Sequence, residues 1–248
     1  MDSNQNIYSG LLDGIEWIWC DLDDTLYDFA ESSHIGLSRI YCEYGLDAYF
    51  STVDHWIDVY HHFNAIQWGL YNKGLTDQHS LRYHRFVDPL LEGGMSQAKT
   101  DELVWELDVV YLKYLGETGL LIDGAFEAVA HLKNKGYKIG VLSNGFTGVQ
   151  NAKMKSSGLD ALVDCLVLSD EININKPDRR LFDYALQKAN TTAAVSLMIG
   201  DNPDTDIAGA INAGWKALLF CPKQQSADFE AKLNQSKPLS NLREILNW

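Results

Sequence analysis

The stretch DLDDTLYD places four aspartates, Asp21, Asp23, Asp24 and Asp28, within eight positions, directly after the apolar run IEWIWC. Carboxylates at this spacing repel one another. Removing one from water costs on the order of several kcal/mol unless a cation compensates it. The cluster therefore reads in one of two ways. It is a solvated acidic turn, or it is a site where a hard divalent cation allows several carboxylates to work on an anionic ligand.

Three further polar clusters follow apolar runs of the kind that form buried strands. Ser143-Asn144-Gly145 follows KIGVL, Lys176 follows CLVLSDEIN, and Gly200-Asp201-Asn202-Pro203-Asp204-Thr205-Asp206 follows LMI. Taken alone, each has a plain explanation. Ser-Asn-Gly is an ordinary turn, a lysine before Pro177 is a solvated residue at a helix start, and the aspartate run is N-capping chemistry with charge favoured at a helix N-terminus. Taken together, they place acidic groups at two strand ends and a hydroxyl-amide turn and a lysine at two others. In an open parallel sheet, ligands bind beyond the carboxyl ends of the strands, so the four clusters would converge on one rim.

The elements that must position them are legible from periodicity. From Leu121 onward strands alternate with helices: YKIGVLSNG, then a helix closed by Gly158; CLVLSD, then a helix with Pro177 near its first turn; VSLMIGD, then a helix ending at Gly214; and WKALLF. Short apolar strands separated by single helices imply β-α-β units and a parallel sheet covered on both faces. Residues 30–119 are different: Trp, Tyr, His and Leu recur at helical spacing and no strand interrupts them. The expected organisation is an α/β, Rossmann-like core from residues 1–28 and 119–248, with an inserted helical cap at 29–118.

The bulk numbers narrow the partners. A formal charge of −14 over 248 residues argues against a nucleic-acid polymer and against anionic membrane surfaces. No apolar run is long enough to span a bilayer. The polar opening MDSNQNIYSG lacks the apolar stretch of a signal peptide, and the four cysteines form no C-x-x-C pair, so the expected location is a reducing cytoplasm. The oligomeric state is not readable.

The series DLDDTL, SNG, KPD and GDNPDTDI resembles that of the haloacid dehalogenase-like hydrolases, in the phosphatase branch with a helical cap inserted after the first motif. The resemblance implies that Asp21 is a nucleophile forming an aspartyl-phosphate, and that Asp23 is the acid and then the base. It implies Mg²⁺, with Mn²⁺ able to substitute, held by Asp21, Asp201 and the backbone carbonyl of Asp23. Asp206, Asn202 and Thr25 would support these ligands. Ser143 and the backbone of Asn144 and Gly145 would bind phosphate, and Lys176 would neutralise it. Asp24 and Asp28 are expected to be structural or solvated. The dehalogenase pattern lacks the second aspartate, so Asp23 favours a phosphate ester over carbon–halogen chemistry.

The stretches around these motifs, and NAIQWGLYNKGLTDQHSLRYHRF in the cap, resemble bacterial house-cleaning pyrimidine 5'-nucleotidases, which favour monophosphates such as dUMP and dTMP. The alternative substrate class is a sugar phosphate, including acylneuraminate 9-phosphate. A phospho-acceptor signalling domain or a silent binding protein is a more distant reading. Arg82, Arg85, Trp68 and Phe146 are the candidates for contacting the leaving group. Most cap aromatics, Trp56, Tyr60 and Phe86 among them, are expected to be core.

Overall fold

The structure, a computed structural model, describes residues 8–222 and 238–248. Residues 1–7, most of the opening read above for targeting, lie outside the described residues. The chain divides into two compact units, one from Met1–Asp28 with Gly119–Trp248 and the other from Phe29–Thr118.

The first unit is an α/β core. Its elements in chain order are α1 (Ser9–Leu12) and β1 (Trp17–Cys20). After the insert of four helices, α2 to α5, come α6 (Ala125–Asn134), β2 (Lys138–Ser143), α7 (Thr147–Ser157), β3 (Cys165–Leu168), α8 (Arg179–Ala189), β4 (Ser196–Gly200), α9 (Ala208–Asn212) and β5 (Lys216–Leu219). All strands are parallel, in the order β3-β2-β1-β4-β5. β1 pairs β2 on one side and β4 on the other, so the chain winds away from β1 in both directions. That is the topological switch point at which such sheets bind ligands.

Strand periodicity of two divides the side chains between two cores. Ile18, Cys20, Ile139, Val141, Leu197 and Ile199 join α6 and Met154 of α7 in one. Trp19, Leu142, Met198 and Leu219 join Leu181 and Phe182 of α8 and Ala210 of α9 in the other. Burial on both sides is why these strands read as unbroken apolar runs rather than alternating ones. Each buried Leu or Ile contributes about 1.5–3 kcal/mol relative to exposure.

Pro177 lies near the first turn of α8, as expected, just before the residue that caps it. The Asp178 side chain accepts a hydrogen bond from Arg180 N at 2.9 Å and caps the helix, so it starts only at Arg179. The helix expected from Asp204 is divided: a wide turn, Pro203–Ile207, precedes the short α9. Asn202 Oδ1 accepts from Asp204 N and Thr205 N at 3.0 Å each and starts that turn.

The second unit is the helical cap: α2 (Phe29–Glu43), α3 (Val53–Asn72), α4 (Gln78–Glu92) and α5 (Gln97–Glu117). Thr52 and Asp77 cap α3 and α4 by accepting from backbone N–H groups. Trp56, Tyr60, Phe86 and Tyr111 are fully buried, with Tyr60 and Phe86 ring centroids 5.0 Å apart. Among the described residues no helix is long and apolar enough to cross a membrane.

Candidate active site

β1 ends at Cys20, and the next residue is Asp21. Its N–H still donates to Ile199 O of β4 at 2.9 Å, so the sheet fixes its backbone. Lys176 reaches the same point from the loop after β3. Its Nζ donates to Asp21 Oδ1 at 2.5 Å and to Leu142 O at 2.8 Å, and pairs with Asp206 Oδ1 at 2.7 Å. An ammonium has three hydrogens, and all three are placed. Asn144 holds the lysine's backbone: Lys176 N donates to Asn144 Oδ1 at 2.7 Å, and Asn144 Nδ2 donates back to Lys176 O at 3.1 Å.

Asp206 is buried. Its Oδ2 accepts from Asn202 N at 3.1 Å. It packs directly over Gly200, where a Cβ would collide with its carboxylate. Thr25 ties the first turn to the end of β4: Asp201 N donates to Thr25 Oγ1 at 3.0 Å, and Thr25 Oγ1 donates to Asp201 Oδ1 at 3.2 Å. Asp24 adopts a positive φ of 58°, a conformation that a short polar side chain tolerates, and its N–H donates to Tyr27 O.

Asp21, Asp201 and Asp206 each offer a ligand atom, all within 4.8 Å of one another. Lys176 balances one of these carboxylates, which leaves two negative charges uncompensated when all are ionised. Burial, with Asp206 and Asp201 nearby, raises the Asp21 pKa well above the ordinary carboxylate range despite the lysine. Burial and Asp206 push Asp201 up to about 6, against the pull of Lys176 and Thr25. For Lys176, burial opposes the charge but Asp206 and Asp21 outweigh it, and its pKa is raised. An oxygen-rich, buried, net anionic donor set of this kind fits a hard divalent cation.

Asp23 occupies different surroundings. Lys153 Nζ donates to Asp23 Oδ1 at 2.6 Å, and Gln150 Nε2 donates to Asp23 Oδ2 at 2.9 Å. Gln150 Nε2 also donates to Ser143 Oγ at 2.7 Å. Gly145 N–H was expected to face phosphate, but it donates to Ser143 Oγ at 3.2 Å. Asp170 Oδ2 accepts from Thr147 N at the start of α7. Phe146, just before α7, is 6% exposed.

A family model for haloacid dehalogenase-like hydrolases matches residues 15–214. The chain belongs to that family. Among the relatives of this hydrolase is the pyrimidine 5'-nucleotidase YjjG of Escherichia coli (strain K12), 30% identical over 200 residues, covering 80% of this chain and 83% of the relative. A glyceraldehyde 3-phosphate phosphatase of Methanothermobacter thermautotrophicus is 42% identical over 121 residues, 46% of this chain and 54% of its own. The crystal structure of YfnB from Bacillus subtilis, bound to magnesium, superposes with a TM-score of 0.81 at 22% identity, covering 94% of this chain and 99% of that one. It shares the fold.

Within the hydrolase's core, the structure brings Asp21, Lys176, Asp201, Asp206 and Thr25 together, and joins Asp23 to Ser143 through Gln150. Gln150 and Lys153 were not singled out from the sequence. The signal was available: Val149, Gln150, Lys153 and Met154 make one buried stripe along α7, and two of its four members are polar. Asn202 takes a different part from the one expected, since its Oδ1 caps the turn before α9. In the cap, Arg85 and Arg82 both bind Asp108 of α5: Arg85 through Nη2 to Oδ1, and Arg82 through Nη2 to Oδ2 at 2.5 Å. Arg85 is 2% exposed and lies over the Tyr111 ring at 5.4 Å. It belongs to the cap interior, because a buried guanidinium needs a carboxylate and finds one there. Trp68 is half-buried on α3, with its ring edge-on to Tyr71 at 5.6 Å.

Proposed function

We propose that this hydrolase is a magnesium-dependent phosphomonoesterase working through an aspartyl-phosphate on Asp21. The observation that carries this reading is a pair of carboxylates two residues apart in unlike surroundings. Asp21 is buried against Lys176, whereas Asp23 has a side chain 29% exposed and is held by Lys153 and Gln150. Unlike environments are what assign unlike roles to two acids.

Asp21 Oδ attacks phosphorus, and the bond to the ester oxygen breaks. The leaving alkoxide takes its proton from Asp23. Water then attacks the aspartyl-phosphate while Asp23, now a carboxylate, accepts the water's proton, which releases phosphate, restores the Asp21 carboxylate and returns Asp23 to its acid form. Lys176 offsets charge on the attacking carboxylate, and the Ser143 hydroxyl donates to a phosphoryl oxygen. The Asp21 and Asp201 carboxylates and the Asp23 backbone carbonyl would hold the cation, with Asp206 behind them. Magnesium, or manganese in its place, supplies positive charge that keeps the carboxylates ionised and offsets that of the phosphoryl group.

For the substrate, a pyrimidine nucleoside 5'-monophosphate has the better support. The 200-residue match to a pyrimidine 5'-nucleotidase is longer than the core unit and so extends into the cap. Glyceraldehyde 3-phosphate phosphatases also match at cap-spanning length, over 219 and 246 residues, but at 26% and 24% identity against 30% for the nucleotidase, and they keep sugar phosphates as the second reading. Phosphate release with Mg²⁺ from dUMP, dTMP, UMP, purine monophosphates and sugar phosphates, with Asp21→Asn as blank, tests both. Preference for pyrimidine monophosphates is expected. Preference for sugar phosphates keeps the mechanism and replaces the substrate, and no release from any ester sinks the reading.

A further inference from the structure

Gln150 is a fully buried polar residue that takes part in none of the chemical steps above. Its carboxamide nitrogen carries two hydrogens, one directed to Asp23 Oδ2 at 2.9 Å and the other to Ser143 Oγ at 2.7 Å. Asp23 accepts at both oxygens here, from Gln150 and from Lys153, and against that ionised form a reversed amide would set Oε1 on a carboxylate oxygen, so repulsion holds the nitrogen on this side. Gly145 N–H donates to the same Ser143 Oγ. A hydroxyl oxygen has two lone pairs and one hydrogen. With both lone pairs engaged, the Ser143 hydroxyl has only its hydrogen left to offer, and it donates to no described residue.

The surroundings are shaped for this arrangement. A side chain on Gly145 would collide with the Gln150 carboxamide. Lys153 Nζ takes the other Asp23 oxygen, so the acid is held at both ends. Gln150 Oε1 is left buried with no partner. A buried unpaired acceptor is destabilising, and a Met or Leu would fill the volume without that penalty. Packing therefore does not account for the residue.

We infer that Gln150 is a positioning residue that makes Ser143 an obligate donor to a phosphoryl oxygen and ties that serine to Asp23. The inference rests on the phosphatase reading of the site. Gln150 acts through the two side chains its nitrogen reaches, Ser143 and Asp23.

The test is a double-mutant cycle with Gln150→Met, which keeps length and removes both donors, and Ser143→Ala. Two quantities are read with Mg²⁺ present: kcat/KM on a phosphomonoester, and the affinity for inorganic phosphate by calorimetry. Gln150→Met is expected to lower both by about tenfold. In the Ser143→Ala background the same substitution is expected to change phosphate affinity by less than about threefold, because the two residues act as one unit. Equal losses in both backgrounds, or unchanged phosphate affinity in Gln150→Met, would overturn the inference. Gln150→Glu, of the same shape, replaces the methionine variant if that one does not fold, and is expected to lose more at neutral pH by facing Asp23 with a second carboxylate. A wild-type protein that binds phosphate but hydrolyses no ester would sink the functional reading, while the affinities still decide the role of Gln150. One that neither binds nor hydrolyses overturns both.

Discussion

The core and the cap each bury a charged cluster, and the two are near mirror images. In the core, the carboxylates of Asp21 and Asp206 grip the ammonium of Lys176, with that of Asp201 beside them. In the cap, the guanidiniums of Arg82 and Arg85 grip the single carboxylate of Asp108. The surplus charge is handled differently. The cap disposes of its extra cation by leaving the Arg82 side chain 30% exposed, where water solvates it. The core leaves its extra anions largely buried, and burial pushes Asp21 and Asp201 toward protonation. A cluster that satisfies itself is architecture; one that stays out of balance is prepared for something from outside.

The comparison breaks most readily at Asp21. Asp21→Asn is expected to lower phosphate release by on the order of 10⁴-fold or more, with no loss of melting temperature, since it removes a buried like charge. Retained turnover would remove the covalent mechanism. Asp108→Ala should do the reverse. It strands the buried Arg85, and is expected to destabilise the cap by about 3–5 kcal/mol, read as a lower denaturation midpoint. A silent Asp108→Ala would mean that the cap pair is not architectural.

Magnesium sharpens the contrast. On the proposed reading it would bind the native acidic cluster and not the unfolded chain, so saturation at a hundred times Kd should stabilise the wild type by about 2.7 kcal/mol. The same addition to an Asp201→Asn variant should raise the melting temperature less. Equal shifts in the two proteins would place the cation elsewhere.

The smallest expected effect is a pH dependence confined to the cap. Burial lowers the His61 pKa below its ordinary 6.5, against the pull of Asp58 and with His34 adding to the decrease. The unfolded chain therefore takes up this proton more readily than the folded one. Stability contributed by neutral His61 is present above about pH 6.5 and is lost as pH falls below it. Urea midpoints from pH 7.5 to 5.5 should decline less in His61→Gln than in the wild type, and parallel profiles would remove the assignment.

The α/β organisation was legible because strands buried on both faces leave unbroken apolar runs, and because polar residues after such runs stand out. The joining of Asp21, Lys176, Asp201 and Asp206 at one place follows from parallel topology alone. Gln150 and Lys153 were not legible in the same way, since a helix reports its buried face only as a stripe, and two polar members there look like noise until their partners are known. Arg85 misled for the opposite reason. A cap arginine suggests a ligand contact, yet its partner Asp108 lies 23 residues away on another helix, and no local pattern announces it.

The place where the chain leaves the core and comes back has a consequence of its own. Asp28 N–H donates to Leu120 O at 3.0 Å, and Ile122 N–H donates to Leu26 O at 2.9 Å, with Tyr27 paired antiparallel to Leu121. The departing and returning segments are thus buttoned together before the insert begins. Whatever hangs beyond that button, long or short, helical or not, starts and finishes at one point and leaves the register of β1, β2 and β4 untouched. In evolutionary terms the core is a socket. Inserts can be lengthened, exchanged or redesigned as plug-in parts, and new substrates can be sampled without refolding the machinery that cuts them.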